Sequence, residues 1–319
     1  MKYIYSIAFK MTLSATIALL IARSLNLEYS TVAAVIAILS VQDTRKKTLV
    51  VGKNRIFACL ISIILSIVIY KFFGQGPLIF ALFLLIFIPL TSKLGISEGM
   101  VPAVVLSTHI YVANSINYYW FQNEVLIMLI GIFCATLANL YMPSMHHEFN
   151  RDKEYIEGMY RVILSNMSKS LISYTVDRNE EDIIIELEER LNKAKENADK
   201  IVNNNLLKSD SYYIDYINMR KSQFDIIKKL RSHFEKFYMS FEQTHMISKF
   251  TKNVAKQIKD SNDCNELLKE LELLKEDFKK MALPKTREEF ENRAQLLQFL
   301  NDMEDLLRIK RNFILNYNK

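Results

Sequence analysis

Six apolar runs crowd the first 150 residues of the chain, at about 6–25, 27–42, 55–73, 77–92, 99–115 and 124–142. A helix needs roughly 20 residues to cross ~30 Å of hydrocarbon at ~1.5 Å per residue. The first, third and sixth runs have that length. The second, fourth and fifth are short, which fits tilted or interrupted segments. The first run carries Lys10 and Arg23, lacks a small-residue cleavage site and leads into five more runs. It is therefore expected to stay as a membrane helix and not to be removed as a signal peptide.

The remaining residues have a different solvent. Residues 1–150 hold 10 Lys/Arg and 5 Asp/Glu, whereas residues 151–319 hold 31 and 30. This split excludes a soluble single-domain enzyme, a disordered chain and a secreted disulfide scaffold. Cys59, Cys134 and Cys264 form no CxxC or paired framework and read as free thiols. The positive excess lies between apolar runs, so it reads as a topology signal and not as a nucleic-acid footprint.

Arg45, Lys46, Lys47, Lys53 and Arg55 fill the segment between runs two and three, expected as a loop at 43–55. Lys93 follows run four, and Arg151 and Lys153 follow run six. The positive-inside rule puts both termini and this loop in the cytoplasm of a multi-pass cell-membrane protein. Tyr118, Tyr119, Trp120 and Phe121 then sit at the outer interface and Tyr3 and Tyr5 at the inner one. The expected fold is all-α: a six-helix transmembrane domain over 1–147, built as three helical hairpins, then a cytoplasmic helical bundle over 148–319.

Helical periodicity runs through the second half. The expected helices are 148–175, 179–206, 211–240, 242–259, 263–281 and 286–316, the middle pair open to being one long helix. Asp263 with Glu266, and Thr286 with Glu289, have capping-box spacing, and Pro284 separates the last two helices. His233 and His245 are isolated, and the adjacent pair His146-His147 points to different helix faces. Alternating charges on the outer faces read as a solvated surface. No phosphate loop, HExxH or Ser/His/Asp order is present, so neither a cofactor, a metal nor an enzymatic activity is expected.

Polar residues inside apolar runs are the informative ones, because each costs roughly 2.5–3.5 kcal/mol at a helix centre. Lys10 and Arg23 lie in run one, 13 residues apart, too far to share one ligand shell. Arg23 reads first as snorkelling to the outer interface, and Lys10 either as snorkelling inward or as a pathway cation. His109, in run five, is a candidate proton carrier or a hydrogen-bonded packing residue. Asn139 in run six fits a bond between helices. Residues 89–102, with Pro89, Gly95, Glu98, Gly99 and Pro102, form the least regular stretch, either a plain loop or a broken helix beside a pathway.

The stretch KMTLSATIALLIARSLNLEYSTVAAVIAILSVQDTRKKTLVVGKNRIFACLISIILSIVIYKFFG resembles the opening of the aromatic acid exporter superfamily, which includes fusaric acid resistance proteins and plant aluminium-activated malate transporters. The family's first hairpin ends in a Gln-polar turn, here Val41-Gln42-Asp43, and a basic residue, here Arg55, opens its third helix. The family's glycines after that arginine are absent; Phe57-Ala58-Cys59-Leu60-Ile61-Ser62 stands there. Six apolar runs and a helical domain resemble the bacterial subgroup with its own C-terminal domain. The resemblance implies passage of small organic anions and a homodimer, with substrate identity not transferable by residue.

Two functions follow. In the first, the chain exports small organic anions, aromatic carboxylates among them, by a proton-coupled or channel-like route along Lys10, Arg23, Gln42, Arg55, Glu98 and His109. In the second, it is a membrane-anchored interaction or sensing protein whose bundle binds a partner or ligand.

Overall fold

The computed structural model describes residues 2–113, 115–141, 145–173, 180–205, 211–234 and 242–317. The side chains of Tyr3 and Tyr5, and the junction at 235–241 that decides between two helices and one long one, lie outside the described residues. Among the described residues the structure is all-helical, with no strand. It divides into two compact units: Met1–Pro143 with Asn203–Lys208, and Ser144–Val202 with Ser209–Lys319.

The first unit contains α1 (Lys2–Ser24), α2 (Thr31–Ser40), α3 (Arg45–Phe73), α4 (Pro77–Lys93), a 3-10 turn (Ser97–Gly99), α5 (Met100–Val112) and α6 (Tyr118–Leu140). Three stretches are long and apolar enough to cross a membrane: Ile7–Ser24, Arg45–Phe73 and Tyr118–Leu140. Thr31–Ser40 and Pro77–Lys93 are shorter apolar helices. The unit is inverted relative to a soluble protein. Phe9, Phe57, Phe72, Leu78, Leu85 and Phe133 face outward, while Ser14, Ser62, Ser66, Ser107, Glu124 and Asn139 are buried. Apolar surface on this scale is stable only against a nonaqueous neighbour.

Several sequence boundaries move for identifiable reasons. The expected basic loop at 43–55 is helix: Thr44 caps α3 by accepting from the Lys47 N–H at 3.3 Å, and the basic residues occupy its first turns. Lys and Arg are good helix formers, so hydropathy loses the helix ten residues before its backbone ends. Tyr118–Phe121 likewise form the first turn of α6, capped by Asn117, whose side chain accepts from the Tyr119 N–H at 3.1 Å. After α1, Asn26 adopts φ +51, the Asn26 N–H donates to Arg23 O, and the Leu27 N–H donates to Ala22 O at 3.1 Å. This is a Schellman end with asparagine at its left-handed position.

The three sequential hairpins do not describe the packing. The pair α1–α2 holds, but α6 lies against both of its helices, α3 packs chiefly on α5 and α6, and α5 and α6 do not pair along their lengths. Small residues decide this arrangement. A Cβ on Gly99 would stand 2.6 Å from Ala58 Cβ and 2.9 Å from Arg55 Cα. One on Gly131 would stand 2.7 Å from Ala33 O. Ser62 donates to Ala103 O at 2.7 Å along the same seam. The close approach to α3 thus uses a glycine from the opposite element, Gly99, against Ala58 and the Arg55 backbone. Gly99→Ala is expected to destabilise the chain by about 1–3 kcal/mol through overpacking. Thermal unfolding in detergent checks this, with Gly76→Ser, at the open cap of α4, expected to be near neutral.

The second unit contains α7 (His146–Ser173), α8 (Glu180–Asn204), α9 (Tyr212–Ser232), α10 (Glu242–Lys256), α11 (Asn265–Lys280) and α12 (Arg287–Tyr317). Its core is conventional, with Ile156, Leu164, Leu187, Ile227, Phe299 and Met303 buried together. Thr286 begins α12 as a cap, accepting from the Glu289 N–H at 3.2 Å. The expected box at Asp263 fails. Cys264 is the residue before α11, in a left-handed conformation with φ +61, and Asp263 instead accepts from the Asn265 N–H at 3.0 Å. His233 is not isolated: it is buried and 2.7 Å from Asp302 Oδ2. Burial alone would raise the Asp302 carboxyl, but hydrogen bonds from Lys229 and His233 outweigh it and hold it below the usual carboxylate range.

Candidate functional site

Two polar clusters are buried in the apolar unit. They sit near Asn139 and Glu124, 15 residues apart on α6, or about 22 Å at the helical rise.

In the first cluster, Lys10 of α1 is buried and donates to Asn139 Oδ1 at 3.4 Å. Asn139 Nδ2 donates to Gln42 O at 2.8 Å and to Thr48 Oγ1. One amide therefore ties α1, the end of α2, α3 and α6. Lys10 does not snorkel, and Asn139 makes the interhelical bonds its position suggested. Gln42 itself is half-buried and its side chain donates back to Leu39 O at 3.1 Å.

Arg55 lies one helix face away on α3, ten residues past the start of the helix it was expected to open. It is 6% exposed. One terminal nitrogen donates to Ser40 Oγ at 2.5 Å and Nε donates to Glu98 O at 3.4 Å. Both acceptors are neutral. The Glu98 carboxylate is exposed and accepts from Asn54 Nδ2 at 3.0 Å. Among the described residues no carboxylate forms an ion pair with Arg55. A guanidinium keeps its charge in proteins, so the unit holds a buried positive charge that its own side chains solvate without neutralising.

The second cluster surrounds His109 of α5. Its Nδ1 lies 2.9 Å from Glu124 Oε2, and Glu124 is fully buried. The Asn123 amide donates to the other Glu124 oxygen at 3.0 Å. It also brackets Glu28, donating to its carbonyl at 3.3 Å and accepting from its N–H at 2.9 Å. The Tyr29 ring stacks on the imidazole with centroids 4.1 Å apart and planes at 10°. Tyr29 holds φ +53, a left-handed conformation costing about 1–2 kcal/mol for such a residue. The Asn123 clamp on the preceding residue keeps it there. An imidazole hydrogen-bonded to a carboxyl is a pair of groups able to pass a proton, which makes it a candidate proton carrier.

The structure thus brings Lys10 and Gln42 together through Asn139, and Arg55 and Glu98 together through the Glu98 carbonyl. His109 stands apart from both. Arg23 is exposed near the end of α1, joins neither cluster and fits the snorkelling reading. Sequence reasoning missed Glu124, Asn123, Tyr29 and Ser40 as site residues. Glu124, the first residue of the sixth apolar run, shares the buried face of α6 with Ile127, Met128, Gly131 and Ala135. That i, i+3, i+4, i+7 spacing was legible once the helix was begun at Tyr118.

The family description "Aromatic acid exporter family member 1" matches residues 1–142, and "Putative aromatic acid exporter C-terminal domain" matches residues 146–311. The chain is 33% identical over 304 residues to "Uncharacterized protein YqjA" of Bacillus subtilis (strain 168), covering 95% of this chain and 94% of that one. A solved chain titled "Crystal structure of putative membrane protein from Clostridium difficile 630" is 22% identical, with a TM-score of 0.47, over 54% of this chain and 99% of its own. With inverted helical packing in its first unit and family matches along nearly its whole length, the chain is a membrane protein of the aromatic acid exporter family.

Proposed function

We propose that this protein exports small organic anions, carboxylates among them, across the cell membrane, with proton uptake at the His109–Glu124 pair. All six helices of the first unit form the transmembrane domain, the short α2, α4 and α5 packed within it. Both termini and the second unit face the cytoplasm, as the basic residues at the start of α3 favour.

The observation that carries the reading is Arg55. A buried cation held by Ser40 Oγ and a backbone carbonyl lowers the cost of bringing a carboxylate into low dielectric. Guanidinium groups offer carboxylates two parallel donors. Lys10 adds positive charge near the same end of α3.

Flux of benzoate-like and aliphatic carboxylates in proteoliposomes, with and without a pH gradient, tests this function. Saturable flux accelerated by the gradient supports it. No flux across the panel, with the chain folded and inserted, overturns it. The pair makes a second expectation. Glu124→Gln keeps a hydrogen-bond acceptor but cannot take up or release a proton, so it is expected to abolish acceleration by the pH gradient while voltage-driven flux persists. Gradient dependence equal to that of the natural chain would remove Glu124 from the coupling.

A further inference from the structure

The second unit carries nearly equal numbers of basic and acidic residues, and several of them pair across or along its helices. Arg190 meets Asp152, Lys229 meets Asp302, Lys275 meets Glu304 and Arg293 meets Glu289. One surface departs from this pattern. Between α7 and α10 runs a groove of about 310 Å³ whose rim carries Lys169, Lys249, Lys252 and His245. Among the described residues no carboxylate lines it, and none of the three lysines forms an ion pair or hydrogen bond.

The local sequence explains how the groove is built. Ser165, Ser168, Lys169 and Ile172 on α7, and His245, Ser248, Lys249 and Lys252 on α10, each follow i, i+3, i+4, i+7 spacing. Each set therefore forms one helix stripe. At the floor, the Ser168 hydroxyl donates to Ser248 O at 2.8 Å and the Ser248 hydroxyl donates to Ser168 O at 2.6 Å. These reciprocal bonds hold the two backbones close, and both serines are buried. Lys169 and Lys249 follow directly on the floor serines and Lys252 lies one turn beyond Ser248, so all three are set on the edges of one cleft. Like charges so placed destabilise the apo bundle slightly, and an anion relieves that repulsion.

We propose that this groove binds a small, multiply charged anion, of polyphosphate or polycarboxylate type, through Lys169, Lys249 and Lys252. The lining selects the class. Its lining has no Phe, Tyr or Trp on which an aromatic acid could stack and no guanidinium to clamp a single carboxylate; Ile172 is its one apolar member. Lysine ammonium groups act as point charges and suit compact anions of high charge. The volume reaches the lower end of small-ligand pockets, about 300 Å³. The site belongs to the second unit alone and does not depend on what the membrane unit carries. It gives the bundle a ligand of its own, distinct from a monocarboxylate cargo.

Calorimetric titration of the full-length chain in detergent, with pyrophosphate and with citrate, tests the proposal. At least one should bind saturably, benzoate should bind at least about tenfold more weakly, and affinity should fall with added salt. The triple variant Lys169→Gln, Lys249→Gln, Lys252→Gln should weaken binding by at least about tenfold, the scale of one or more lost charged hydrogen bonds. The triple Lys→Arg variant should retain it. Circular dichroism melts should be unchanged in both, because the lysines are exposed. No saturable binding of either anion, or a glutamine variant that titrates like the natural chain, overturns the site. A repeat in nanodiscs of phosphatidylcholine, with or without phosphatidylglycerol, separates the sources. Undiminished binding in both supports a free anion, and loss of pyrophosphate binding only with phosphatidylglycerol overturns that in favour of a lipid headgroup.

Discussion

Arg55→Gln is expected to lower organic-anion flux in proteoliposomes by about tenfold to a hundredfold while leaving the chain folded and inserted. The magnitude follows from the loss of charge-assisted hydrogen bonds, about 1.5–3 kcal/mol, at ~1.4 kcal/mol per decade of rate. The choice of glutamine matters. Its amide can still donate to Ser40 Oγ or Glu98 O, the two acceptors that hold Arg55 in place. The seam between α3 and the 3-10 turn rests mainly on the approach of Gly99 to Ala58, which the substitution leaves alone. Removing a buried charge that has no ionic partner also avoids stranding a carboxylate. Stability should therefore hold or rise slightly while transport falls. Lys10→Gln should show a smaller flux defect together with a stability cost, because Lys10 is bonded to the Asn139 hub that joins four elements. If both substitutions leave flux unchanged, the cationic pathway is wrong.

In the second unit, Arg220→Ala is expected to cost about 3–5 kcal/mol, the penalty for breaking a buried pair from one side. Arg220 is 1% exposed. It donates to Tyr216 Oη at 3.0 Å, Gln223 Oε1 at 2.9 Å and Glu157 Oε1 at 2.5 Å. Tyr216 also donates to Glu157 at 2.7 Å, and Gln223 donates to Leu306 O at 2.8 Å. The network spans α7, α9 and α12. Burial favours a neutral guanidinium, but Tyr216 and Glu157 outweigh it and hold Arg220 above its ordinary value. Truncation leaves Glu157 as a buried carboxylate with one hydroxyl donor. At about 2–4 °C per kcal/mol for a domain of this size, the unit should melt roughly 10 °C earlier. Hydrogen exchange of the full chain should show amides of α7, α9 and α12 opening together. Arg287→Ala, which removes an exposed pair with Glu291, is the control and should stay within about 0.5 kcal/mol. Parity between the two variants would mean that water reaches Glu157 and relieves it.

The two candidate sites were unequally legible. Lys10, Arg55 and His109 stood out because charge inside an apolar run is conspicuous. Their partners did not. Asn139 apart, they are ordinary residues for helix ends, such as Ser40 and Thr48, and nothing local marks Glu98 as offering its carbonyl and not its carboxylate to Arg55. Glu124 was hidden because it stood at the very edge of its apolar run, where a charge reads as a helix end. Hydropathy ends a helix where polarity begins, whereas α6 continues through four aromatic residues to an asparagine cap.

Sequence alone determined the helical class, the division into an apolar and an aqueous half, and the family. Each rests on properties summed over tens of residues, such as charge density, apolar run length and period, and sums of that kind survive without knowledge of packing. Tertiary structure decided which helices pair, which buried charges have partners and where three lysines meet around one cleft. Those outcomes depend on contacts such as Gly99 with Ala58, His109 with Glu124 and Ser168 with Ser248. Each joins residues 15 to 80 positions apart, and only the folded chain brings them within reach.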